Sequence, residues 1–181
     1  GLITIAGGKL TGYRKMAETV TDLLAKELQS DGAGPFGPCI TRHLPLSGGD
    51  FGSPERLPAY VKEQTAAGVA LGLTEAAAQR LSYRYGTNVA AVFARIPDIR
   101  EEAEKRQIPL DLYAALRYCM EEEMAASPAD FLIRRSGAML FDIDAVKRHY
   151  RAVIRVMADE FGWSDERVAE LEQEMERYMS R

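Results

Sequence analysis

Gly7, Gly8 and Lys9 stand between an apolar run, Leu2-Ile3-Thr4-Ile5, and a segment where Met16, Val20, Leu23, Leu24 and Leu28 recur at helical spacing. A strand, a glycine turn and a helix in that order form a device for holding anions. The glycines let backbone approach a ligand closely, and the first free N–H groups of the helix point at it. The helix dipole adds roughly half a positive charge there. Lys9 adds a full one. Such a site suits a phosphate, a carboxylate or the electron-rich pyrimidine edge of a flavin.

Two familiar phosphate loops fail here. A Walker A loop needs glycine five residues before the Gly-Lys pair and Ser or Thr after it, and those places hold Ile3 and Leu10. No Gly-x-Gly-x-x-Gly fingerprint occurs either. The loop is therefore not expected to bind a nucleotide alone.

The elements that position this loop follow from the pattern around it. The β-branched run reads as a strand, and a helix is predicted from about Thr11 to Gln29, ended by Gly32. A lone leading strand lacks a partner, so the chain reads as a piece of a larger protein. Residues 32–54 contain six glycines and four prolines, an irregular connection better placed between domains than inside one. Beyond it nearly everything reads helical. Ser53-Pro54 opens a helix to about Thr65, Thr74 caps one through Arg84, and a short helix spans Asn88–Arg95 before Pro97. Pro109 and Asp111 start another, with Leu112, Leu116, Cys119 and Met120 facing inward. Ser127-Pro128 starts one that ends near Gly137. The clearest stripe is Ile143, Val146, Tyr150, Val153, Ile154, Met157 and Phe161, opened by Asp142. Ser164 caps a last helix carrying Val168, Leu171, Met175 and Tyr178. The expected fold is all-α: a bundle of about six to seven helices preceded by a strand–Gly-Gly turn–helix fragment. Its parts are 1–31, a linker at 32–53, and a helical domain at 54–181.

Composition narrows the function classes. With 23 Lys+Arg against 27 Asp+Glu among 181 residues, the net charge is −4, and no nucleic-acid partner is expected. Two cysteines, Cys39 and Cys119, make no disulfide framework and fit a reduced, cytoplasmic chain. No apolar run approaches the roughly 18–20 residues of a membrane span.

The stretch Gly7-Gly8-Lys9-Leu10-Thr11-Gly12-Tyr13-Arg14-Lys15-Met16-Ala17 closely resembles the second signature of FAD-dependent glycerol-3-phosphate dehydrogenases. Leu44-Pro45-Leu46-Ser47-Gly48-Gly49-Asp50 is similar to that family's linker. Asp130-Phe131-Leu132-Ile133-Arg134-Arg135-Ser136 is similar to its Asp-x-Leu-x-Arg-Arg-Thr stretch in the C-terminal helical domain. The resemblance spans essentially the whole chain, in the family's order, and makes the chain the C-terminal third of such an enzyme.

What the resemblance implies is a flavoenzyme that oxidises sn-glycerol 3-phosphate to dihydroxyacetone phosphate, passing hydride to FAD and electrons to a quinone. The nucleotide-binding part and the catalytic base would lie upstream, in the chain's own N-terminal FAD domain. Gly7, Gly8, Lys9, Leu10 and Thr11 would be the cofactor-binding residues, with backbone N–H groups of Gly8–Thr11 near the flavin N1–C2=O edge. Lys9 would also face the substrate and act catalytically. FAD is not expected to stay bound to this piece alone, and the piece alone is expected to be inactive. A homodimer and a peripheral seat at the cytoplasmic membrane face stay open. So do two rival readings: a glycerophosphate oxidase using oxygen, and a helical interaction module with an incidental loop.

Other residues carry less. Tyr13 and Arg14 either bond the loop or flavin, or pair with an acid of the FAD domain. Cys39 and His43 are four apart, but Pro38 and Pro45 argue against a helix there. Zinc needs about four ligands, and only Cys119 and His149 remain, so no metal site is expected. His149 reads as a partly exposed helix residue. Asp130–Arg134 is an i,i+4 pair, and Glu121, Glu122 and Glu123 read as a solvated helix face.

Overall fold

A computed structural model describes residues 2–180. The chain divides into two compact units, Gly1–Leu46 and Ser47–Arg181. It is all-α, as the stripes predict, with no β-strand among the described residues.

In the first unit, residues 2–9 have no regular secondary structure, so the expected strand is absent. A strand is completed only by ladder hydrogen bonds to a neighbour, and no partner strand occurs among the described residues. A tight 3-10 turn, Leu10–Gly12, leads into α1, Tyr13–Ser30. Gly32, at φ 88°, ends the helix, with Ala33 N–H bonding back to Leu28 O at 2.9 Å. Not one residue of α1 is buried.

The second unit holds the core. Its helices are α2 (Leu57–Ala70), α3 (Glu75–Tyr85), α4 (Val89–Ala94), α5 (Ile96–Lys105), α6 (Leu110–Glu122), α7 (Ala138–Phe141), α8 (Ile143–Phe161) and α9 (Asp165–Met179). Against the expected six or seven, the described residues of this unit hold eight α-helices and a π turn: the expected Ser127-Pro128 helix becomes the π turn, a short α7 is added after Gly137, and Pro97 starts α5 instead of stopping a helix. A proline in the first turn gives up an N–H that would have had no partner anyway. Thr74, Asp142 and Ser164 cap as read, accepting from the amides of Ala77, Ala145 and Arg167 at 3.2, 3.2 and 3.3 Å. Ser53 does not cap; its hydroxyl donates to the Glu55 carboxylate.

α2 and α3 form a tight hairpin. A Cβ on Gly68 would stand 2.6 Å from Ala78 Cβ, so only glycine lets the helices approach this closely. α6 is central, burying Tyr113, Ala114, Ala115, Leu116, Tyr118 and Cys119. α8 fills the opposite side with Val146, Tyr150, Val153, Ile154, Val156 and Met157, while Phe161 is exposed against Trp163. Leu171 and Met175 of α9 close over it.

The Ser127-Pro128 helix continues as a π turn, Asp130–Arg135, marked by Ser136 N–H bonding Phe131 O at 2.8 Å. Its start is a reciprocal cap. Ser127 Oγ accepts from Asp130 N–H at 3.1 Å and donates to the Asp130 carboxylate at 2.8 Å. The Asp130–Arg134 pair forms at 2.6 Å.

Part of the stretch read as linker is packed. Gly48 O accepts from Thr87 N–H at 2.9 Å, Asn88 Nδ2 donates to Ser47 Oγ at 2.7 Å, and Phe51 meets Tyr60 edge-on. Gly86 turns the chain here at φ 53°, and any Cβ on it would collide with Gly48 O.

Candidate functional site

The loop before α1 is built from backbone. Gly12 N–H makes the first bond of the turn, to Lys9 O at 3.0 Å. The amides of Lys9, Leu10 and Thr11 precede it, and these are the positions a helix start leaves without an intrahelical partner. A Cβ on Gly8 would meet nothing within 4 Å, so a planar group has an open approach to the backbone there. Gly7 is different: a Cβ there would stand 2.3 Å from Met16 Cε, so the thioether of α1 lies over it. Gly7, Gly8, Lys9, Leu10 and Thr11 are all exposed, and the geometry brings these five sequence-predicted residues together on one short segment. The outcome is an exposed loop that carries Lys9 and lies at a helix start, an arrangement suited to an electron-rich edge.

The neighbouring side chains are tied along α1. Arg14 and Lys15 each reach the Glu18 carboxylate at 3.1 Å. Lys15 first, and then Arg14, hold that carboxyl below its ordinary range despite some desolvation. Arg14 also donates to Thr41 Oγ1 at 3.4 Å. Pairing Arg14 within its own helix leaves Lys9 as the charge presented by the loop.

The other candidates separate. Cys39 lies in irregular chain with its Sγ 3.1 Å from Thr41 Oγ1. Cys119 is buried in α6, where burial pushes its thiol up to about 12 and keeps it protonated. Its Sγ donates to the Glu123 carboxylate at 3.1 Å. Among the described residues no three His, Cys, Asp or Glu side chains are grouped to hold a metal. His149 is half-buried on α8, and burial, with help from Arg148, lowers its pKa. The acidic run is not a merely solvated face: Glu121 and Glu122 clamp Arg95 at 2.8 and 2.9 Å, and Glu121 also holds Arg117. Arg135 donates to Glu123 O, tying the π turn to the end of α6.

A family model described as the C-terminal domain of alpha-glycerophosphate oxidase matches residues 39–168. The chain belongs to this family. Similar curated proteins include the aerobic glycerol-3-phosphate dehydrogenase of Bacillus subtilis (strain 168), 48% identical over 92% of the chain and 30% of that protein. The enzyme of the same description from Staphylococcus aureus (strain NCTC 8325 / PS 47) is 40% identical over 98% of the chain and 31% of its own length. Among solved structures, glycerol-3-phosphate dehydrogenase from Bacillus halodurans, complexed with FAD, superposes with a TM-score of 0.89 at 40% identity. That match covers 99% of this chain and 35% of the other. The chain thus spans about a third of the length of the relatives it matches. No helix among the described residues is long and apolar enough to cross a membrane.

Proposed function

We propose that this chain is the C-terminal part of an FAD-dependent enzyme oxidising sn-glycerol 3-phosphate to dihydroxyacetone phosphate. The observation that carries the reading is the 40% identity, over 99% of the chain, with a glycerol-3-phosphate dehydrogenase complexed with FAD. In this reading residues 1–31 finish the FAD domain, 32–53 link, and 54–181 form the helical domain.

The loop fits the cofactor by its own chemistry, since it offers exposed helix-start amides, an open backbone at Gly8 and the Lys9 ammonium. Gly7, Gly8, Lys9, Leu10 and Thr11 would hold FAD, which when bound supplies the acceptor for the substrate's hydride. The amides of Gly8–Thr11 would offer donors, fixed in advance, to negative charge on the flavin and so lower the barrier. Lys9 adds a full charge at the same place and draws the phosphorylated substrate. Met16, lying over Gly7, keeps that part of the loop from collapsing onto α1.

The remaining steps belong to the whole protein. Electrons pass on to a quinone at a membrane that the enzyme meets peripherally, on its cytoplasmic face, and two copies associate. A second reading, transfer to oxygen, is favoured by the family description itself, which names an oxidase. Oxygen uptake and peroxide release by the complete, substrate-reduced enzyme separate the two.

Lys9→Met in the complete enzyme tests the site. Loss of one preorganised donor costs about a hundred- to thousand-fold in rate, so turnover falls by that order and the flavin potential becomes more negative. Lys9→Arg recovers part of it, because a planar guanidinium does not take the compact position of an ammonium. Near-normal turnover and potential in Lys9→Met would remove Lys9 from the mechanism.

A further inference from the structure

A cleft of about 400 Å³ opens in the second unit where α3, the start of α6 and the start of α8 come together. Three arginines and a histidine line it: Arg80 and Arg84 one turn apart on α3, and Arg148 with His149 on α8. Two carboxylates also line it, and both are engaged. Asp111 pairs with Arg80, and Asp142 caps α8 by accepting from Ala145 N–H.

Arg84 and Arg148 differ from the seven arginines of this unit that pair with acids. Arg80, Arg95, Arg106, Arg117, Arg134, Arg151 and Arg167 each hold a carboxylate. Neither Arg84 nor Arg148 makes an ion pair with a described residue, although the chain carries four more acids than bases. Two uncommitted guanidiniums therefore face one cleft in an acidic protein. A guanidinium is a planar fork that matches phosphate oxygens two at a time. His149 contributes a ring N–H, and burial and then Arg148 lower its pKa. Asp111 opposes that effect, already satisfied by Arg80.

We infer that this cleft, held by Arg84, Arg148 and His149, is a binding site for a phosphate group, separate from the Gly-Gly-Lys loop and formed wholly within the helical unit. The volume exceeds that of phosphate itself, leaving room for what the phosphate is attached to. Phe141, highly exposed, stands at the wall and offers an apolar surface to that substituent. The group can come from a soluble phosphate ester or from a lipid headgroup, and the chemistry of recognition is the same.

The sequence has only two histidines, His43 and His149, so proton resonances of their rings report the two units separately. Inorganic phosphate, at constant ionic strength, is titrated into the 181-residue chain. The His149 signal should move saturably while that of His43 stays in place. Arg84→Gln and Arg148→Gln should each weaken binding about tenfold or more, as expected for loss of a charge-assisted bond. Arg167→Gln, an exposed arginine paired with Glu170 on α9, should leave it unchanged. Glycerol 3-phosphate in solution and phosphatidylglycerol in phosphatidylcholine vesicles then identify the source. Binding to either keeps the site and names its ligand. A His149 signal unmoved by all three probes, or a shift that survives both glutamine variants, would overturn the proposal. Neither outcome depends on flavin or turnover, so it stands apart from the assignment of Lys9.

Discussion

Helices α1 and α8 have the same design on paper and opposite fates in the structure. Each is 18 or 19 residues long with an apolar stripe at helical spacing. The α8 stripe is sealed, with Val153, Ile154 and Met157 wholly out of solvent. In α1, Leu23, Leu24 and Leu28 are each more than 40% exposed. An amphipathic pattern states that a face needs cover. It does not state that the cover lies in the same stretch of chain. For α8 the partners include α7 and α9, with Arg117 of α6 paired to Glu160; for α1 none is present among the described residues of its unit.

The contrast is breakable by matched substitutions. The largest effect belongs to Ile154→Asp, because an unpaired charge buried in the α8 stripe costs several kcal/mol, enough to unfold most domains. Loss of the cooperative thermal transition checks it, and an unchanged melting temperature would mean that the stripe carries no core. The next effect is acid dependence at the π turn. Burial tends to raise the Asp130 pKa, but Ser127, the Ala126 amide and Arg134 together hold it below its ordinary value. A carboxyl with a folded pKa below its unfolded one stabilises above the unfolded value, and the gain is lost as pH falls through the folded one. The melting temperature of the helical unit should therefore drop on acidification, and Asp130→Asn should flatten that part of the curve at a cost of about 1 kcal/mol at neutral pH. Glu18 on α1 is also held low, by Lys15 and Arg14, yet it lies on a helix with no buried residue, so Glu18→Gln should leave the transition in place. The smallest effect is Leu24→Lys: within about 0.5 kcal/mol for the isolated chain, and larger once the complete protein covers that face. Equal melting temperatures of the wild-type and Leu24→Lys chains, with reduced self-association of the variant on sedimentation, would sharpen the comparison.

Much of the helical unit was legible because its signals are local. Thr74, Asp142 and Ser164 are side-chain caps that act within three residues, and the Ile143–Phe161 stripe needs only helical spacing. What escaped depends on distance or on competing uses of one residue. Pro97 looks like a stop and acts as a start. Glu121 and Glu122 look solvated because the arginines they hold, Arg95 and Arg117, come from another helix or another turn. The docking of Gly48 on the α3–α4 corner rests on a backbone carbonyl, which leaves no mark in side-chain pattern. In the candidate site, the sequence offers glycines and Lys9 as the residues of a proposed anion-holding loop, whereas the thioether of Met16 over Gly7 was visible only in three dimensions. The cleft at Arg84 and Arg148 was missed for the same reason, its arginines belonging to α3 and α8.

The contact between Gly48 and Gly86 has an evolutionary corollary. It divides the irregular stretch into a part whose length is free and a part that behaves as a ruler. Between Gly37 and Leu46 an inserted residue meets no helix or strand, and lengthening such a loop costs only a few tenths of a kcal/mol. Between Gly48 and Pro54 the chain must run from a fixed carbonyl to the start of the turn before α2, with Phe51 seated on Tyr60 on the way. An extra residue there displaces the ring or breaks the Thr87 bond. Length variation among related proteins should therefore accumulate before Ser47 and vanish after it, so that the segment records its drift on one side only.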